Sequence, residues 1–303
     1  MNRLIEPVLI QNLIDYIADQ QVKFQGRIQD KFSSFSSITT AKEGDLAFIK
    51  SLDILTVSNF LKDCSASLVF CHIEIFNEIN TNVNILGVEN PQLQFCKVIN
   101  AYFEEEEEAI IHNTAIISKK AVIGKNCSIG PYCVIGDVRL GDNCIINSHV
   151  HIFDQVEIGN NVKINSFCTI GEEGFGSMRD NDGKFHKFPQ IAGVKIGNNV
   201  SISANVTIKK GAMEDTIVSD GTHIGSHTNI GHAVKLGGNL FVGPGVGIAG
   251  STVVGNNCNI WSGVMIRDGI TLGNNVNIAM GAIVTKSFGD NGNLIGIPAK
   301  EMG

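Results

Sequence analysis

Residues 218–248 read V-S-D-G-T-H-I-G-S-H-T-N-I-G-H-A-V-K-L-G-G-N-L-F-V-G-P-G-V-G-I, with an aliphatic side chain at Val218, Ile224, Ile230, Leu236, Val242 and Ile248. The same step of six continues through Val254, Ile260, Ile266, Leu272, Ile278 and Val284. Upstream it runs through Ile123, Ile129 and Ile135, then Ile146, Ile152, Ile158, Ile164 and Ile170, and again through Ile196, Ile202 and Ile208. A period of six suits neither a helix, which repeats at about 3.6, nor a simple alternating strand. It suits a short strand and a sharp turn, three such units closing a triangular coil of about 18 residues. Each aliphatic side chain then points into the prism and stacks on its counterpart about 4.8 Å along the axis. G-N-N turns at 159–161, 197–199, 255–257 and 273–275 supply residues that tolerate positive φ. The expected fold is a left-handed parallel β-helix of hexapeptide repeats over residues 108–303.

Two interruptions break the repeat. Residues 171–193 carry E-E-G-F-G and K-F-H-K-F-P-Q, and about four extra residues bulge out around 209–215. Long excursions from a regular solenoid are where binding usually lives, which makes Phe175 and His186 candidate substrate contacts. Residues 1–107 lack the repeat. There 4–18 reads as an amphipathic helix, 45–49, 66–71 and 83–88 as short strands, and 91–103 as a second helix, together a small α/β domain. The acidic run 104–108 reads as a solvated junction.

Composition narrows the function. With 43% hydrophobic residues, 17% charged and 33 glycines, the chain is globular and rich in tight turns. A net charge of −7 argues against a nucleic-acid partner, which needs a basic surface. No window approaches the 18 apolar residues of a membrane span and residues 1–21 lack a signal-peptide core, so the cytoplasm is expected. The eight cysteines form no C-x-x-C pair, and Cys127, Cys133, Cys144, Cys168 and Cys258 share one position of the repeat, as small packing residues would.

Histidine is the natural general base near neutral pH. Of five in the repeats (His149, His151, His223, His227 and His232), His232 follows Gly231 near both excursions. One coil earlier stands Glu214, beside Asp215, and either carboxylate is placed to orient the imidazole. One coil later stands Gly250, whose N–H suits an oxyanion. Base, orienter and oxyanion donor in adjacent coils suit amine attack on a thioester. The rival reading uses His227 and His232 as zinc ligands between subunits. It needs a third histidine about two coils earlier, where Ile191 and Ile196 stand instead, and no metal site is expected.

The whole chain resembles the UDP-3-O-acylglucosamine N-acyltransferases of lipid A biosynthesis. The shared segments are E-E-G-F-G (172–176), K-F-P-Q-I-A-G-V-K-I-G (187–197), A-N-V-T-I (204–208), G-A-M-E-D-T (211–216), I-G-H (230–232) and G-I-A-G-S (247–251), with T-A-K-E-G-D-L-A-F-I (40–49) in the N-terminal domain. The resemblance implies a homotrimer moving an acyl chain from acyl carrier protein to a UDP-linked amino sugar. It places His232 as base, Gly250 at the thioester oxygen and Phe48 against the nucleobase, with Asp215 among the substrate contacts. The chain departs from the family at several points. A-H-N is Gly231–His232–Ala233, a second histidine is replaced by I-R-D-G at 266–269, D-R-G by Lys209–Lys210–Gly211, and Ile54 stands near an expected tyrosine. The final G-I-P-A-K-E-M-G is similar to acetyltransferases of this fold that use coenzyme A, which makes Lys300 a candidate for its phosphates. The expectation is therefore a sugar N-acyltransferase using acyl-CoA or acyl carrier protein as co-substrate, with a short acyl group on CoA favoured. Lipid A synthesis proper is the runner-up. A carbonic-anhydrase-like zinc hydratase and a non-catalytic trimeric scaffold are the readings from other classes.

Overall fold

A computed structural model describes residues 3–17, 21–103, 109–298 and 300–301. The chain divides into two compact units, Met1–Glu107 and Glu108–Gly303. The acidic run 104–108 lies outside the described residues.

The first unit is built on a six-stranded sheet. Its elements are β1 (Arg3–Leu9), α1 (Ile10–Tyr16), β2 (Lys23–Gln25), β3 (Lys31–Phe35), β4 (Asp45–Phe48), α2 (Ile54–Lys62), β5 (Leu68–His72), β6 (Ile85–Val88) and α3 (Pro91–Phe103), in sheet order β1-β3-β4-β5-β6-β2. The four central strands run parallel, and β1 and β2 close the edges antiparallel. L-V-F-C on β5 and I-L-G-V on β6 are buried throughout, as strands covered on both faces must be. Helix α3 starts at a proline, with Asn90 Oδ1 accepting from the Leu93 N–H at 3.0 Å. Three strands and this helix fall where the sequence pattern puts them. Residues 4–18 do not form one helix. They split into β1 and the short α1, because pairing β1 against β3 satisfies its backbone in the sheet.

The second unit is a left-handed parallel β-helix. Among the described residues its coil strands form three sheets of nine, eight and ten, the last including the terminal strand Lys300–Glu301, and the first excursion adds a two-stranded hairpin. Pairing between coils is parallel, as in Val134↔Ile116 and Asn259↔Asn277, with a register shift after Ile170 and one antiparallel pair, Leu294↔Glu301, in the terminal hairpin. The aliphatic residues of the six-step form one continuous core, from Ile129 at 1% exposure to Val284 at 0%. Most corners take a left-handed residue, and Asn161, Asn199, Asn257 and Asn275 supply it at φ 55–57°. His149 and His227 take the same conformation and serve as corner residues.

The cysteine position has a definite chemistry. Cys133 Sγ donates to the Asn147 carbonyl at 2.9 Å, and Thr228 Oγ1, at the equivalent place, donates to the Gly243 carbonyl at 3.1 Å. A small side chain with one donor satisfies a turn carbonyl inside the prism. All eight cysteines are free, and burial pushes the Cys144 thiol up to about 11, the range of an inert packing residue.

Both excursions leave the stack intact. The hydrogen-bonded neighbours Asn160 and Asn198 are 38 residues apart, Asn198 and Asp220 are 22 apart, and Gly238 and Asn256 return to 18.

Candidate active site

His232 is held by its backbone on both sides. Its carbonyl accepts from the Ser251 N–H at 2.8 Å, and the N–H of Ala233, a left-handed corner residue, donates to Thr216 Oγ1 at 2.9 Å. Gly231 allows this approach, since a Cβ there would stand 2.7 Å from the Gly250 nitrogen. The imidazole in turn lies against Gly250, where a Cβ would meet Nε2 at 2.5 Å. Gly174, in the first excursion, backs the ring from another side, with a Cβ position 3.0 Å from His232 Cβ and 3.1 Å from Cδ2. Three glycines therefore shape the slot that the histidine fills.

The slot opens into a mainly apolar cleft of about 350 Å³ bounded by Phe175, Lys209, Asn229, Gly247, Gly250 and Met265. Met265 lies across Gly247, its Cε and Sδ only 2.6 and 2.7 Å from where a Cβ would project. Phe175, at the tip of G-F-G, is 99% exposed. Ion pairs pin the base of that loop: Glu172 with Lys209, Glu173 with Lys187, and Lys210 with Glu173 at 4.0 Å. The Lys187 hydrogen bond and charge hold the Glu173 carboxyl below its ordinary range.

Two buried side-chain atoms have no hydrogen-bond partner among the described residues, His232 Nδ1 and Gln190 Oε1. Leaving such a group unpaired costs about 1–3 kcal/mol. In the neutral tautomer that carries its proton on Nδ1, the lone pair of the ring is on Nε2, beside the Gly250 backbone.

The structure brings His232, Gly250 and Phe175 together. The expectation that Glu214 orients His232 is corrected. Position 214 lies in the second bulge, where the repeat does not set side-chain direction, and its carboxylate pairs with Lys235. That bond and charge lower the Glu214 pKa. Asp215 is also committed elsewhere: Oδ1 accepts from the Gly193 N–H at 2.8 Å and Oδ2 meets Lys195 Nζ at 2.9 Å. It fastens the end of one excursion to the end of the other and lines a separate, charged cleft.

His186 sits on an exposed hairpin, Ser177–Arg179 against Phe185–Lys187, bonded to Asp180 at 2.6 Å, and does not line the His232 cleft. Lys300 is exposed on a terminal hairpin opposite Ile295 and is likewise outside it. Phe48 ends β4 and packs half-buried on Phe95, ring centroids 5.0 Å apart. Gln190, within K-F-P-Q, packs beside the G-F-G turn, a placement that no sequence motif signals. Among the described residues, no three His, Cys, Asp or Glu side chains gather as a metal-binding group.

Residues 120–154, 137–172 and 251–286 match the bacterial transferase hexapeptide family, and 191–210 the hexapeptide repeat of succinyl-transferase. The chain is 33% identical over 109 residues to the UDP-3-O-acylglucosamine N-acyltransferase of Coxiella burnetii, covering 36% of this chain and 32% of that protein. It is 43% identical over 83 residues to the Bordetella parapertussis enzyme of the same name, covering 26% and 23%. The chain thus spans about a third or less of the length of the curated relatives it matches. Among solved structures, the Francisella novicida UDP-N-acetylglucosamine acyltransferase aligns with TM-score 0.54 and 30% identity over 59% of this chain and 63% of that one. The Bacteroides fragilis UDP-N-acetylglucosamine acyltransferase aligns with TM-score 0.58 and 25% identity over 64% and 74%. By its repeats, its fold and these matches, the chain carries a β-helix of hexapeptide repeats that is similar, over parts of its length, to acyltransferases with UDP-sugar names.

Proposed function

We propose that the protein is an N-acyltransferase that moves an acyl group from a thioester, on coenzyme A or acyl carrier protein, to the amino group of a nucleotide-linked amino sugar. The observation that carries this reading is the His232 imidazole, half-buried and packed against the bare Cα of Gly250 at the head of an apolar cleft. An acyl chain suits the Phe175–Met265 walls, and the amine comes to Nε2. The amine nitrogen attacks the thioester carbonyl while Nε2 takes its proton, and the Gly250 N–H donates to the oxyanion that forms. Collapse of the tetrahedral adduct breaks the carbon–sulfur bond, and the imidazolium returns its proton to the departing thiolate.

In this reading the N-terminal unit holds the nucleotide, with Phe48 at the carboxyl end of β4, the edge of a parallel sheet where ligands usually bind. Phe175 contacts substrate, and the exposed ammonium of Lys300 is available to a donor phosphate. Assembly is a homotrimer with sites between neighbouring prisms. The exposure of Phe175, Ile191 and Met213 around the two excursions supports an apolar contact between copies. The relatives' names support a UDP-linked sugar.

The test is direct. Purified protein is incubated with UDP- and dTDP-linked amino sugars and a panel of acyl-CoA and acyl-carrier-protein donors, and acylated sugar is read by mass spectrometry. Mass gain on a nucleotide sugar, lost in His232→Ala, is expected. Absence of acyl transfer across the panel overturns the reading.

A further inference from the structure

The cleft at His232 is ordered along the helix axis. Parallel pairing sets Thr207, Asn229, Gly247 and Met265 side by side on successive coils, so Lys209 stands level with Gly231, and Gly231 with Ala249. Lys209 therefore lies one coil before His232, Gly250 one coil after it, and Met265 one coil further, each step being about 4.8 Å. Ile208 is buried in the prism, which turns Lys209 outward. It is the only Lys, Arg, Asp or Glu among the described residues that line the cleft. Nor is it a freely solvated lysine: its side chain is 23% exposed, and that of Lys210 19%. Lys209 pairs with Glu172, while Lys187 and Lys210 both turn to Glu173, Lys210 only at 4.0 Å. Three ammonium groups thus share two carboxylates. The cluster holds one positive charge in excess at the wall of a mainly apolar cleft, where a charge acts more strongly than in open water.

We propose that Lys209 binds the diphosphate of the nucleotide-linked sugar, with Lys210 adding charge behind it. The order of groups along the axis carries the assignment. The acyl carbonyl belongs at Gly250 and its chain toward Met265, the apolar end, which leaves the Lys209 end to the sugar. The sugar's diphosphate is attached to the ring that bears the amine, so a cation one coil from the base is placed to meet it. A donor's phosphate is separated from its thioester by the whole pantetheine arm. An ammonium has three N–H donors, so Lys209 can bond a phosphate oxygen and keep Glu172 as well. The inference rests on the acyl-transfer reading for the order of the two substrates in the cleft.

Calorimetric titration of the full chain with UDP, dTDP and coenzyme A tests this without turnover. Lys209→Met should weaken binding of the nucleoside diphosphate by at least about tenfold and leave coenzyme A unchanged, and Lys209→Arg should restore most of the affinity. In steady state, Lys209→Met should raise KM for the sugar with kcat little changed. Glu172→Gln separates recognition from loop anchoring. It breaks the same ion pair yet removes a negative charge, so diphosphate binding should hold or tighten, whereas a loop that merely needs the pair would bind worse in both variants. Weaker diphosphate binding in Glu172→Gln, an unchanged affinity in Lys209→Met, or a loss confined to coenzyme A overturns the proposal. So does a wild type that binds neither UDP nor dTDP. Glu172→Gln decides even where Lys209→Met fails to fold. The expected titrations with no acyl transfer to any sugar would uphold the site and refute only the proposed reaction.

Discussion

A β-carbon on Gly250 would stand 2.5 Å from Nε2 of His232, so the imidazole rests on bare backbone one coil above its own. Gly250→Ala must push the ring off that surface. A displacement of about 1 Å in a reacting group can cost 100-fold in rate. The variant is expected to lose roughly that factor in kcat with its melting temperature nearly unchanged; wild-type turnover in a folded G250A protein would contradict the arrangement.

Removing the base gives a second expectation. A positioned general base contributes about 10²- to 10⁴-fold. His232→Ala should lose kcat by that order while binding nucleotide sugar as before, and calorimetric titration alongside steady-state rates separates the two effects.

Met265 lies over Gly247 in the floor of the cleft and occupies length an acyl chain could use. Met265→Ala should shift preference toward longer donors, raising the ratio of long- to short-chain kcat/KM by at least about tenfold, the scale of one methylene in an apolar pocket. A matched series of acyl-CoA lengths reads this out. An unchanged profile would place the acyl chain elsewhere.

Asp215 links stability to pH. The Gly193 N–H and then the Lys195 ammonium hold its carboxyl below the ordinary carboxylate range. A carboxylate depressed in the folded state adds stability that is fully present above its unfolded pKa, about 3.9, and is lost as pH falls through the lower folded value. Asp215→Asn should therefore be less stable than wild type at pH 7, and the gap should close below about pH 4. Thermal melts from pH 7 to 3 measure this; a gap that persists at the acid end would assign the loss to packing.

Assembly is tested by charge. Ile191 and Met213 are exposed at 69% and 76% on the two excursions. Light scattering should give three times the chain mass of 32.6 kDa, and Ile191→Asp with Met213→Asp should weaken the assembly. A wild-type monomer at micromolar concentration would exclude the trimer.

How far residues announce structure depended on whether neighbours repeat. Ile224, Ile230 and Leu236 are legible because each stacks on a copy of itself, and one rule holds from coil to coil. Asn161 and Asn199 are legible because few residues accept a left-handed corner. The segment 4–18 was not legible, since its helical spacing lost to edge pairing with β3, a contact distant in sequence. Gly250 was found by counting one coil forward through unbroken repeats. Counting one coil back reached Glu214 in a bulge, where periodicity no longer sets side-chain direction. Gln190 was missed because its significance is a missing partner, and a hydrogen-bond deficit has no sequence signature.

The spacing across the first excursion has a further consequence. Asn160 and Asn198 pair as though adjacent, yet 38 residues separate them; two of the sheets keep their register across the gap and the third shifts only after Ile170, where the excursion leaves. Because a solenoid is held by nearest-neighbour contacts, the coils do not register how long the chain wanders between them. The segment 171–193 is thus a cassette plugged into a rigid rack, tied down by Lys187, Lys209 and Lys210. Selectivity can be rewritten there by exchange of one contiguous stretch of chain, while His232 and Gly250, carried by the rack, keep their places.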